Sequence, residues 1–235
     1  GALKRLLEYR IEGLYCCNIN PASEADEFFK LATERYGVAL ASNNCSFSFP
    51  HARIESDNST AVMSLMEHLV GLGHRQIAHI GGDRSSGVSR ERSEAFLRAV
   101  EHFNLKLDEC PLRFSNWELD QARTTARQLL EFSEPPTAIL CVNDTIAACV
   151  LQVANELNLK VPSELSVVGI TNEHMSQLTV PSLTTVAIPC EEIGHTGMLA
   201  LIDLIESKRE IATQEITRYP CTPIFRDSSA AARSL

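Results

Sequence analysis

Two observations predict an α/β fold with parallel sheets flanked by helices. One is a βαβ unit between Pro136 and Ile170; the other is an alternation of strand and helix patterns along nearly all of the 235 residues. Pro136 to Val142 is short, apolar and β-branched, as a strand buried on both faces should be. Asn143 and Asp144 then offer short side-chain oxygens to cap a helix. Ile146, Val150, Val153 and Leu157 recur on one face of it. Asn158 and Pro162 close that helix, and a second buried strand begins near Leu165, so the crossover is right-handed and the strands parallel. In open sheets of this kind ligands bind beyond the carboxyl ends of the strands. Two such ends carry Asn143-Asp144 and Thr171-Asn172-Glu173, which points to a polar binding cleft rather than a catalytic centre.

In chain order, residues 3 to 9 read as the tail of a helix and Ile11 to Cys17 as a strand. Ser23-Glu24-Ala25-Asp26 resembles a capping box and opens a helix that turns Phe28, Ala32 and Tyr36 inward until Gly37. Val38 to Ala41 is a strand ending at Ser42-Asn43-Asn44, and a short strand lies near Arg53 to Ser56. Asp57-Asn58-Ser59 caps a helix with Val62, Leu65, Leu69 and Leu72 on one face, stopped by Gly73. The strand Gln76–Ile80 runs into the loop Gly81–Gly87, and the helix after it carries Phe96, Ala99, Val100 and Phe103. Leu112–Phe114, a helix through Leu119, Ala122, Ala126 and Leu129, and the βαβ unit follow. A strand at Leu183–Ile188, a helix at Glu191–Ile205 and one closing strand near Ile216–Phe225 complete the pattern. The small, polar stretch Ser228–Leu235 is expected to be a mobile tail.

The totals exclude several classes. A net charge of -9 argues against this chain gripping a phosphate backbone by itself. No apolar run approaches the roughly 20 residues that span a bilayer, and no signal peptide is visible. The chain opens Gly-Ala-Leu-Lys without an initiator Met, which reads as a fragment or processed product. Eight cysteines without a C-x-x-C pair sit largely in apolar patterns, as buried hydrophobes in a reducing cytosol. The three glycosylation sequons are chance matches on that reading. Seven histidines show no metal-ligand spacing, and neither a nucleophile elbow nor a paired nucleophile and base appears. No metal, cofactor or enzymatic activity is expected.

Four segments in fixed order carry a family resemblance: Leu72–Gly82, Ser89–Phe96, Ala138–Asp144 and Val161–Gly169, joined by Pro181–Val186 and Arg226-Asp-Ser228. Over residues 11 to 228 the chain resembles the effector-binding domain of the lactose-repressor (LacI/GalR) family of bacterial transcription regulators. The resemblance implies a two-lobed periplasmic-binding-protein-like fold of type I with three crossovers, near Ser56, Ile188 and Thr217. The first lobe would be residues 1–56 with 189–217, and the second 57–188 with 218–235. The family's helix-turn-helix and hinge helix have no counterpart in this sequence, nor do the first strand, first helix and second strand of the first lobe. That lobe is therefore read as truncated at its N-terminus, with the Ile11–Cys17 strand left at an unpaired edge.

The implied function is the effector-sensing and dimerisation region of a cytoplasmic transcription regulator. A small molecule (a sugar, sugar phosphate, nucleoside or organic acid) would bind between the lobes. Operator DNA would be reached only through a DNA-binding domain absent from this chain. A solute-binding protein of a transport system is the alternative, but it would need a signal peptide and would tolerate eight unpaired cysteines poorly.

Arg92 lies four residues before Phe96, on the same helical face and one turn nearer the strand ends, and it matches an effector-contacting arginine of the family. The plainer reading is a surface arginine paired with Glu91 or Glu94. Asn143 matches another family contact, although capping alone also accounts for an Asn there; Asp144 is read as structural. Trp117 matches a pocket-lining aromatic, and a lone Trp is as often simply packed. Asn43 ends a first-lobe strand and would close over ligand from the opposite side, and Ser85 and Ser86 sit in a glycine-flanked loop. Thr171 and Asn172 complete the set; many relatives have Asp where Thr171 stands and a polar residue where Ile188 stands. The effector is therefore expected to be less polyhydroxylated, more anionic, or absent. Met175, Leu178 and Val180 match the family's subunit interface and suggest a homodimer, against local packing on the Ala147–Leu151 helix turn.

Overall fold

The computed structural model describes residues 5–6, 8–19, 23–45, 47–207, 213 and 215–233. The chain divides into two compact units, Gly1–Ser56 with Pro189–Tyr219 and Asp57–Ile188 with Pro220–Leu235. Both are α/β and built on parallel sheets flanked by helices, as the strand–helix alternation predicts.

In the first unit, β1 (Gly13–Cys17), β2 (Ala39–Asn43), β3 (Ala52–Ser56) and β9 (Glu215–Tyr219) form a parallel sheet in the order β1-β2-β3-β9. Among the described residues β1 is paired on one side only. Helix α1 (Ser23–Tyr36) contributes Phe29 to a core with Cys16, Leu40, Cys45, Phe47 and Phe49. Helix α6 (Cys190–Ser207) packs against β1, β2 and β3 and buries Ile193, Gly197, Leu201 and Leu204. A Cβ at Gly197 would collide with the Tyr15 ring, so glycine there lets the helix lie directly on β1. The helical tail expected over residues 3 to 9 lies partly outside the described residues, as do the Ser23 and Glu24 side chains of the expected capping box.

The second unit holds the parallel sheet β5-β4-β6-β7, formed by β4 (Ile77–Gly81), β5 (Leu112–Phe114), β6 (Ala138–Cys141) and β7 (Ser166–Val168). The strands β4, β6 and β7 are buried throughout, whereas the edge strand β5 leaves Arg113 exposed, and alternate residues serve alternate layers. Ile77, Ala138, Leu140 and Val168 face α2 (Asn58–Gly71) and α3 (Gly87–His102). Ala78, Ile80, Ile139, Cys141 and Val167 face α4 (Leu119–Leu130) and α5 (Asp144–Glu156). The helix ends follow the sequence signals. Asp57 caps α2 by accepting from Thr60 N–H (3.0 Å), and Asn143 caps α5 by accepting from Ile146 N–H (2.9 Å). Gly73 (φ +89) and Asn158 (φ +58) leave their helices in the left-handed region.

Two expectations are corrected. The single closing strand near 216–225 is two strands in two sheets, with Pro220 and Cys221 between them: β9 extends the first unit's sheet, whereas β10 (Thr222–Ile224) pairs antiparallel with β8 (Thr185–Ala187). Nor is the stretch after Ser228 a loose tail as far as it is described. The Ser228 hydroxyl donates to Val167 C=O (2.6 Å) and accepts from Thr184 N–H (2.8 Å). Ala230 N–H donates to Ser166 Oγ (3.1 Å), and Ala232 N–H to Leu72 C=O (2.9 Å). Small polar residues suit this role because they reach backbone groups at short range and lose little rotamer entropy.

Candidate functional site

The carboxyl ends of the second unit's four strands carry, in sheet order, Trp117 after β5, Ser85 and Ser86 after β4, Asn143 after β6, and Thr171 with Asn172 after β7. The topology reverses between β4 and β6, because β5 lies on the far side of β4 from β6 and β7; ligands of doubly wound sheets bind at such reversals. Arg92 bridges this point. From the second turn of α3, next after β4, its NH1 donates to Val142 C=O at the end of β6 (2.6 Å), and its Nε donates to Asn58 Oδ1 on α2 (2.8 Å). Arg92 is therefore not the surface arginine of the plainer reading: it is 3% exposed, and Glu91 accepts from Asn58 Nδ2 (2.9 Å). A buried guanidinium needs several acceptors around it, and this frame provides them.

Trp117 is 39% exposed and lies across Gly82, where a Cβ would strike the indole ring; the β4–α3 loop thus needs glycine for this approach. Ser86 caps α3 through Ser89 N–H, and Ser89 Oγ accepts from Gly82 N–H (2.9 Å). Ser85 is held by Asp83, whose Oδ1 accepts from both its N–H and its hydroxyl (2.7 Å each).

The segment after β7 is under backbone strain. Thr171 has φ +122 and Asn172 φ +55, an unusual position for a β-branched residue. Asp144, fully buried, steadies it: Oδ2 accepts from Glu173 N–H (2.8 Å) and Oδ1 from the Thr185 hydroxyl (2.5 Å). Burial pushes the Asp144 carboxyl above its usual range, against these two hydrogen bonds. Arg226 holds the other side, donating to Asn172 Oδ1 (2.7 Å), Ser176 Oγ (3.1 Å) and Leu183 C=O (2.6 Å). Asp144 is thus structural, whereas the roles of Asn58 and Arg226 escaped sequence reasoning. In sequence Asn58 reads only as part of a cap, and Arg226 only as part of a terminal motif.

The remaining expected residues fall elsewhere. Asn43 belongs to the first unit, at the end of β2, and its Nδ2 donates to Ile54 C=O (2.8 Å). Met175 Sδ lies 3.9 Å from Thr145 Oγ1 on α5, while Leu178 and Val180 are 80% and 94% exposed. Among the described residues no group of three His, Cys, Asp or Glu is placed to hold a metal ion, and no helix is long and apolar enough to cross a membrane.

Behind the site, two histidines are buried in hydrogen-bonded niches. His79 Nδ1–H donates to Leu140 C=O (2.9 Å), and His74 Nε2–H to Ala230 C=O (3.0 Å); a carbonyl accepts only, which fixes both tautomers. Burial pulls both below the usual imidazole value of 6.5, His79 to about 4. The folded protein then binds fewer protons than the unfolded chain below about pH 6.5, so stability is full above that pH and falls as pH drops toward 4. The expected loss from His79 is about 3 kcal/mol across that window. In urea unfolding from pH 7 to 4.5, His79→Gln should flatten the decline.

The comparisons with known proteins agree with this fold. The family model of the periplasmic binding protein-like domain matches residues 66–229, more than half of the chain. The chain belongs to this family. Within the family, its kinship is with the LacI-type regulators. It is 29% identical over 178 residues to the HTH-type transcriptional repressor CytR of Escherichia coli, covering 76% of this chain and 52% of that protein. It is 36% identical over 163 residues to the repressor PurR of Erwinia tasmaniensis, covering 69% and 47%. The chain thus spans about half the length of these relatives. Among solved structures, the lac repressor dimer bound to operator and the anti-inducer ONPF superposes with a TM-score of 0.85 at 25% identity, over 98% of this chain and 78% of that one. A LacI family regulator from Enterococcus faecium with bound ribose gives a TM-score of 0.86 at 21% identity, over 99% and 84%, which supports the fold alone.

Proposed function

We propose that this chain is the effector-sensing part of a LacI-type transcription regulator, taking a small molecule at the carboxyl ends of the second unit's strands. One observation carries the reading: Arg92 is buried at the topological reversal, tied to both α2 and the end of β6, with Asn143 beside it and Thr171 and Asn172 beyond the end of the next strand. A buried cation amid short polar side chains suits recognition of a small ligand, and those side chains bring no nucleophile and base together. Operator DNA would be contacted by another part of the whole protein, which accords with the net charge of -9 here, and the protein would act in the cytoplasm. A thermal-shift screen of sugars, sugar phosphates, nucleosides and organic acids, with titration calorimetry on each hit, tests the reading. Saturable one-to-one binding supports it; the absence of saturable binding to any of them overturns it.

The same reading includes a homodimer. Leu178 and Val180 are far more exposed than aliphatic side chains usually are, and with Met175 they lie in one short segment. A two-fold contact through this segment would cover them. Sedimentation at micromolar concentration is expected to give a dimer, and Leu178→Asp a monomer of unchanged fold. A wild-type monomer rejects the interface.

A further inference from the structure

The hydrogen-bond directions on the second unit's face define the ligand it can take, given the proposed reading that this face binds a small molecule. Two side-chain amides there are oriented by groups that can only donate. Asn143 Oδ1 accepts from Ile146 N–H (2.9 Å), and Asn172 Oδ1 accepts from the Arg226 guanidinium (2.7 Å). Neither partner can accept, so each oxygen faces inward and each NH2 group points the other way. Among the described residues neither NH2 group meets an acceptor. Beside these two amides the acceptors are directed into the protein, and the Asp83 carboxylate after β4 takes Ser85 through Oδ1. Asp144 is fully buried on Thr185 and Glu173 N–H, and each Glu173 oxygen takes a hydroxyl, from Thr171 (3.3 Å) and Thr145 (3.0 Å). Arg92 adds a positive charge at the same end of the sheet.

We infer that this face recognises an acceptor-rich edge, made of carboxylate, phosphate or carbonyl oxygens, in preference to a polyhydroxylated neutral one. Every sugar hydroxyl carries a proton that needs an acceptor, and a hydroxyl buried against N–H donors is left with that proton unpaired. An oxyanion or a carbonyl has no such proton. The Thr171 position reinforces the bias, because its hydroxyl is committed to Glu173 and it carries no charge.

The test pairs probes that differ mainly in acceptor character: D-gluconate against D-glucose, and D-ribose 5-phosphate against D-ribose, with uracil as a neutral carbonyl probe. Thermal shift ranks them, and calorimetry gives the dissociation constant of the best. Asn172→Asp is the informative variant, because a carboxylate still accepts from Arg226 in the same shape but offers no N–H to the ligand. An acid binding more tightly than its neutral partner, and at least tenfold more weakly to Asn172→Asp, supports an oxyanion ligand. A response to uracil alone, weakened likewise, supports a carbonyl edge. Neutral sugars binding as well as their acids, or undiminished binding to Asn172→Asp, overturns the acceptor preference while leaving effector binding intact. Silence from every probe overturns this inference, while the reading it rests on falls only if the wider screen also finds no saturable binding.

Discussion

Arg92→Ala is expected to weaken effector binding ten- to a hundredfold and to lower the stability of the second unit by about 3 kcal/mol. The two losses have one origin. The guanidinium is almost completely buried, and its removal strips the bonds from Asn58 Oδ1 and Val142 C=O and leaves a void beside Asn143. Each lost charge-assisted hydrogen bond costs about 1.5–3 kcal/mol, and a void adds to that. Urea unfolding measures the stability, and calorimetry on the folded fraction, with the ligand found by screening, measures the affinity. Arg92→Lys separates the effects: it keeps the charge but not the planar fork, so binding should suffer more than folding. An unchanged dissociation constant in both variants would remove Arg92 from the site.

Gly169→Ala should be nearly as damaging, although no ligand is needed to see it. A Cβ there would collide with Asp144 Oδ1, and would lie 3.0 Å from Leu183 Cδ2 and 3.2 Å from the Asp144 Cα. Asp144 cannot swing away without giving up Thr185 or Glu173 N–H, and its backbone opens α5. The expected cost is about 2–3 kcal/mol, typical of forced overpacking. Because the displaced groups brace Thr171–Glu173, effector binding should weaken as well. Gly194→Ala is the matched control: its Cβ would meet nothing within 4 Å, so a change of under about 1 kcal/mol, toward higher stability, is expected from helix propensity. Equal effects at the two glycines would contradict the assigned role of Asp144.

The fold class was legible because its cause is local. The run Ala138–Cys141, the cap at Asn143 and the apolar face of α5 are each specified within a few residues, and the βαβ rule supplies the rest. The end of the chain was less legible. Proline and cysteine at 220 and 221 interrupt a β-prone run weakly, and only tertiary pairing sends β9 and β10 to different sheets. The hold on Ser228, Ala230 and Ala232 was also hidden, since it depends on groups more than 40 residues away in sequence. At the candidate site, residue type marked Arg92 and Asn143, but direction did not. Whether an Asn presents its oxygen or its nitrogen is decided by neighbours such as Arg226, 54 residues from Asn172, and no spacing rule encodes that.

Chemical-shift mapping with the screened ligand tests most directly whether the second unit's strand ends form the binding face. On titration, backbone amides of 82–86, 143, 171–173 and the first turns of α3 should move and saturate with the calorimetric dissociation constant, with the Trp117 indole N–H among them. Shifts confined instead to the shallow groove between α2 and β10, lined by Ser64, Glu67, His68, Leu72, Pro223 and Phe225, would contradict the assignment.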